Sequence, residues 1–202
     1  SDITALKNHA RELDRAANYD DLTGLPNRQL LEERLRTARN HADRQHRTVS
    51  VCYLDLDGFK AINDKWGHLA GDQALRTLAE RLTRALRSGD TVARIGGDEF
   101  VLLLQGDDNH DAVYQRILAT VGDPVAVGDQ NVTLTASLGI TRYPEDGSEA
   151  EGLIRHADQA MYSAKEKGRN QYHFFDPGLD KHRRNRCNQL VEISRALENE
   201  EF

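Results

Sequence analysis

Cysteine is scarce. The chain has two in 202 residues, Cys52 within an apolar run and Cys187 in a polar stretch, and their spacing fits neither a metal-binding pair nor a disulfide framework. No apolar run approaches the roughly eighteen residues that would signal a membrane helix, and no leader-peptide pattern opens the chain. A soluble fragment in a reducing cytoplasm is the expectation, and it leaves room for a parent chain anchored in a membrane. Positive charge is also in deficit, 27 Lys and Arg against 33 Asp and Glu for a net charge of −6. That balance excludes a nucleic-acid surface built on phosphate neutralisation, whereas a mononucleotide needs only a few local cations. The length suits one well-buried domain with appendages.

What is present is acid at strand ends. Val92 to Ile95 and Phe100 to Leu104 read as two strands joined at Gly96-Gly97, a hairpin signal because glycine tolerates positive φ. Asp98 and Glu99 therefore sit at a tight turn, and alternation along a strand prevents both from pointing the same way. Thr48 to Leu54 has the composition of a buried central strand and runs into Asp55-Leu56-Asp57, whose two carboxylates share one face. If this strand lies beside the hairpin, the acids converge at one sheet end. Mg²⁺ prefers such oxygen ligands, and carboxylate-held Mg²⁺ is a recurring device for in-line displacement at phosphorus.

Other residues have two readings each. Gly58-Phe59-Lys60 opens a short helical turn whose first N–H groups would make a phosphate site, with Lys60 as a point charge or as a solvated lysine. Asn63 and Asp72 together offer the acceptor and amide set that reads a guanine edge, or else they cap helices, Asp72 directly before a helix carrying Leu75, Leu78, Ala79, Leu82 and Leu86. Arg87 and Asp90 precede the first hairpin strand, where an arginine ordinarily offsets a helix dipole. Lys165 and Arg169 stand i, i+4 apart at the end of a helix from about Glu149 to Lys167. Pro26 is expected in the first turn of the helix that carries Leu30, Leu31 and Leu35, and His68 in a loop. Val125 to Val127 and Val132 to Tyr143 read as a second hairpin, its Thr133, Thr135 and Ser137 on a half-exposed face, and Tyr172 to Phe175 as a closing strand. The order of elements fits an α+β, ferredoxin-like core with a mainly antiparallel sheet flanked by helices.

Gly96-Gly-Asp-Glu-Phe100 resembles the motif that names the GGDEF domains, diguanylate cyclases that join two GTP molecules into cyclic di-GMP. The resemblance extends over about residues 19–176 through Asp20 to Arg28, Asp55 to Asp64, Gly67 to Asp72, Ser137 to Thr141 and Ala157 to Asn170. It implies a nucleotidyl-cyclase palm, with Mg²⁺ (or Mn²⁺) held by Asp55, the Leu56 carbonyl and Asp98 or Glu99. Asp98 is then the hydroxyl-orienting or base group. It further implies GTP contacts by Gly58, Phe59, Lys60, Asn63, Asp72, Gly96 and Gly97, triphosphate contacts by Lys165 and Arg169, and product inhibition at Arg87 and Asp90. One domain would hold one GTP, so catalysis would need a transient homodimer, without nucleic acid and without direct membrane contact. Residues 1–18 read as a helical linker that packs on the domain or forms half a coiled coil from an upstream sensor. Residues 177–202 read as an ordinary terminal helix or as the connector toward a phosphodiesterase domain of the EAL type. A GTP-binding module that regulates such a partner without turnover is the alternative function.

Overall fold

The computed structural model describes residues 9, 13–106, 110–147 and 149–178. Most of the N-terminal linker, all of the 177–202 connector beyond residue 178, and Cys187 lie outside these, although residues 13–18 are helical.

The chain runs α1 (Arg28–Gln45), β1 (Val49–Asp57), α2 (Phe59–Trp66), α3 (His68–Ala85), β2 (Thr91–Gly96), β3 (Glu99–Gln105), α4 (His110–Gly122), β4 (Val125–Val127), β5 (Gln130–Val132), β6 (Thr135–Tyr143), α5 (Ala150–Glu166) and β7 (Tyr172–Phe174). The main sheet has the order β2-β3-β1-β6-β7. All its pairings are antiparallel except β6 with β7, which are parallel and connected through α5. This is the expected α+β palm.

Alternation along β1 divides the core. Cys52, Leu54 and Leu56 face α2, α3 and α4, where Leu75, Leu78, Leu82, Ile117 and Val121 complete one apolar layer. Val49, Val51 and Tyr53 face α1 and α5, against Leu31, Leu35, Leu153, Ala157 and Met161. Asp55 and Asp57 continue this second face beyond the apolar zone. Burial pushes the Cys52 thiol far above its usual range, so it is an inert core residue.

Several boundaries differ from expectation. Pro26 lies outside α1, whose N-cap is Asn27, its side chain accepting from the Leu30 N–H. Pro26 instead bridges Tyr19 across a loop. Helix α3 starts at His68, four residues before Asp72, so His68 is helical and Asp72 is not a cap. The second hairpin divides: β4 pairs with the short β5 in a separate two-stranded sheet, while β6 enters the main sheet beside β1. Nor is β6 half exposed, because helices cover both of its faces and Ser137 and Thr141 are fully buried. Its hydroxyls tolerate burial because each has a partner. Thr135 and Ser137 donate to Asp57, and Thr141 donates to the Leu153 carbonyl.

Candidate active site

The two acidic segments meet. Asp55 at the end of β1 is the direct antiparallel partner of Glu99 at the start of β3, a pairing that leaves Cα atoms roughly 4.5–5.5 Å apart. The Leu56 N–H donates to the Asp98 carbonyl at 3.2 Å, so the Gly96-Gly97-Asp98 turn is stitched to the end of β1. Gly97 has φ +50, a conformation a side chain would strain.

Asp55 is 8 % exposed, and its Oδ1 lies 2.7 Å from Lys165 Nζ. Burial raises its pKa, outweighing the lowering by the lysine, and the neighbouring charges of Asp98 and Asp57 add to the rise. The Glu99 carboxyl is raised first by burial, against a hydrogen bond from Tyr53 that lowers it, and then by Asp55. Negative charge is thus held where it is poorly solvated and mutually repelling. Hard oxygen donors in that state suit a divalent cation. Among the described residues no three His, Cys, Asp or Glu side chains already form a metal nest. A site here would combine Asp55, Asp98 or Glu99 and backbone oxygen, with Lys165 leaving Asp55.

Lys165 comes from the last turn of α5, and that helix is seated by Gly139. A Cβ built at Gly139 would fall 1.9 Å from the Ala157 carbonyl oxygen and 2.0 Å from the Met161 nitrogen. Beyond the helix, Gly168, Arg169 and Asn170 all have positive φ, at 122, 63 and 47. For the two non-glycine residues this costs about 1 kcal/mol each. The turn sets Arg169 on the surface near the end of β1, since the Asn170 N–H donates to Asp57.

On the other face, Gly58 opens α2 in a left-handed conformation without a side-chain cap, Phe59 is buried and Lys60 is exposed. Asn63 and Asp72 lie on neighbouring helices, both half-buried. A Cβ at Gly71 would meet Asn63 Oδ1 at 1.9 Å, so the bare glycine gives the amide its place. The chain's single tryptophan, Trp66, lies between these two residues in sequence, with Lys65 over its ring at 4.3 Å.

Arg87 and Asp90 are away from this centre, in the turn before β2. The Asp90 carboxylate accepts from the Arg87 N–H at 3.2 Å and the Gln105 N–H at 3.1 Å, so it already staples its own loop. A groove of about 460 Å³ between α1 and this turn has Arg34, His41, Gly89, Asp90 and Gln105 on its walls.

Sequence reasoning passed over Arg94. Its guanidinium donates to both Asp20 oxygens at 2.5 and 2.9 Å, and to the Gly97 carbonyl at 3.0 and 2.8 Å. Asp20 also accepts from the Leu22 and Thr23 N–H groups and the Thr23 hydroxyl. One side chain therefore ties the domain's entry loop to the glycine turn. The available signal was a charged residue inside an otherwise apolar strand, which needs a partner when buried. Tyr53 was also missed, for it looked like core.

The family model described as "Diguanylate cyclase, GGDEF domain" matches residues 17–171. The chain is 42% identical over 197 residues to the bifunctional diguanylate cyclase/cyclic di-GMP phosphodiesterase MucR of Pseudomonas aeruginosa, covering 96% of this chain and 29% of that protein. It is 39% identical over 204 residues to the cyclic di-GMP phosphodiesterase PdeR of Escherichia coli, covering 100% of this chain and 31% of that one. The chain thus spans about a third of the length of these curated relatives. The crystal structure of the coiled coil and GGDEF domain of DgcB from Caulobacter crescentus, in complex with c-di-GMP, superimposes with a TM-score of 0.77 at 28% identity, covering 86% of this chain and 93% of that chain. Motif, palm-like sheet and relatives agree, and the chain belongs to the GGDEF family.

Proposed function

We propose that the chain is a diguanylate cyclase that condenses two GTP molecules into cyclic di-GMP with release of pyrophosphate. The observation that carries this reading is the direct pairing of Asp55 with Glu99 at one sheet end, with Lys165 2.7 Å from Asp55. Asp55, the Leu56 carbonyl and Asp98 or Glu99 would hold Mg²⁺, or Mn²⁺ in its place. When bound, the ion would neutralise charge developing on the attacking and leaving oxygens.

The protein's own groups do the rest. Asn63 and Asp72 read the guanine edge, a set that leaves adenine unpaired. Lys60, Lys165 and Arg169 offset triphosphate charge, Lys165 exchanging its carboxylate partner for phosphate, while the open backbone at Gly58, Phe59, Gly96 and Gly97 admits the nucleotide. Asp98 orients the 3′-hydroxyl of one GTP toward the α-phosphorus of the other. The role assigned to Asp98 is to orient the hydroxyl, a positioning contribution, more than to abstract its proton. Two chains must face each other to close both ester bonds, so specific activity should fall on dilution. Product inhibition would use Arg87 and Asp90, beside the α1 groove.

A second reading has its own support. The relative PdeR is named as a phosphodiesterase, and a GGDEF module that binds GTP without cyclising it would regulate a fused partner domain of that kind. Incubation with GTP and Mg²⁺ followed by chromatography separates the two. Cyclic di-GMP, with ATP inert, supports the cyclase; bound GTP without product at concentrations that allow pairing supports the regulatory module. A cytoplasmic setting belongs to either reading. Among the described residues, no helix is long and apolar enough to cross a membrane.

A further inference from the structure

Asp57 lies two residues from Asp55 on the same face of β1, yet its surroundings are different. Its Oδ1 accepts the Ser137 hydroxyl at 2.8 Å, and its Oδ2 accepts the Thr135 hydroxyl at 2.8 Å and the Asn170 N–H at 3.2 Å. Thr135 is its direct partner on β6 and Ser137 is the next residue along that face. Both oxygens are therefore spent on donors, two of them fixed to the central sheet. A carboxylate so engaged is a poor ligand for a cation but a rigid anchor for whatever its third donor belongs to.

That donor belongs to the turn that carries Arg169. Gly168, Arg169 and Asn170 are successive left-handed residues, a conformation that persists only where surrounding bonds hold it. The Arg169 N–H returns to the Ala164 carbonyl at 3.0 Å, binding the turn to α5, and the Asn170 N–H reaches Asp57, binding it to β1. Arg169 is thus held between two fixed points. We propose that Asp57 is a positioning residue which, through the Asn170 N–H, holds Arg169 toward the triphosphate of the bound nucleotide. This rests on the cyclase-type nucleotide site proposed above. It separates the two acids of the Asp55-Leu56-Asp57 segment: Asp55 faces the cation and Asp57 sets the arginine.

The test is equilibrium binding of 3′-deoxy-GTP, which cannot cyclise, followed by Trp66 fluorescence in the wild type, Asp57→Ala, Asp57→Asn, Arg169→Ala and the Asp57→Ala/Arg169→Ala pair. Asp57→Ala and Arg169→Ala should each weaken binding by about tenfold, and the pair should be within about twofold of Arg169→Ala alone, because both changes remove one interaction. Asp57→Asn should lie between wild type and Asp57→Ala, with the Mg²⁺ concentration for half-maximal turnover unchanged. Thr135→Val, which removes one donor without touching the turn, should weaken binding in the same direction, and it replaces Asp57→Ala in the cycle should that variant misfold. Multiplicative losses of about a hundredfold in the pair, wild-type binding by Asp57→Ala, or a raised Mg²⁺ requirement would each overturn the assignment. A wild type that binds no nucleotide fails before any variant is compared, and it removes the site and this role together.

Discussion

Removing the Arg94 guanidinium is the most informative single perturbation, because this side chain joins segments 74 residues apart. Arg94 and Asp20 are 12 % and 14 % exposed. Breaking a buried ion pair from one side typically costs about 3–5 kcal/mol, because a charge is stranded. Here Asp20 keeps three local donors, the Leu22 N–H, the Thr23 N–H and the Thr23 hydroxyl, and the Gly97 carbonyl lies at an exposed turn that water reaches. Arg94→Met should therefore cost about 2–3 kcal/mol, nearer the value for hydrogen bonds to charged groups. Arg94→Lys should fall between, since an ammonium cannot span both oxygens of Asp20 and still reach Gly97. Urea denaturation measures this as a lower midpoint at unchanged slope. Asp20→Asn combined with Arg94→Met should show coupling of at least about 1.5 kcal/mol. A loss for Arg94→Met below about 0.5 kcal/mol, or strict additivity in the pair, would refute the idea that this contact fastens the entry loop to the glycine turn.

Gly139→Ala should destabilise by about 3 kcal/mol, the upper end of overpacking costs, because the new methyl meets helix backbone; a change under about 1 kcal/mol in the same denaturation assay would show that α5 is not seated there. Asp55→Asn should abolish turnover without lowering stability at pH 7, measured by thermal unfolding. The sign follows from its raised pKa: a carboxylate more acidic unfolded than folded costs stability while ionised, and that cost disappears as pH falls from the raised value to the ordinary 3.8. The stability difference between wild type and Asp55→Asn should therefore narrow over that interval, and a difference that widens would contradict it. Asp98→Asn should eliminate cyclic di-GMP formation while leaving the circular dichroism spectrum unchanged, and retained turnover would dismiss the residue's orienting role. Arg87→Ala should shift product inhibition to higher cyclic di-GMP concentration; an unchanged inhibition curve removes that turn from the account.

The palm was legible because its strongest signals are local. The β-branched run into Asp55 and the glycine pair at 96 and 97 mark the strand end and the turn, and strand alternation put Asp55 and Asp57 on one face. Long-range consequences were less legible. The hydroxyls of Thr135 and Ser137 read as the polar half of an exposed strand, because sequence does not reveal that they are spent on Asp57 from a neighbouring strand. Arg94 escaped notice for the same reason, since its partner Asp20 is distant in the chain. The start of α3 was misplaced because glycine took the cap: Gly67 opens the helix five residues before the carboxylate that looked like a better N-cap.

The most direct measurement is Mn²⁺ binding, followed by electron paramagnetic resonance in the presence of 3′-deoxy-GTP, for the wild type, Asp55→Asn and Glu99→Gln. The wild type should take up the ion together with the nucleotide, and both variants should lose most of that uptake. Undiminished uptake by both variants would contradict a cation gripped between the ends of β1 and β3.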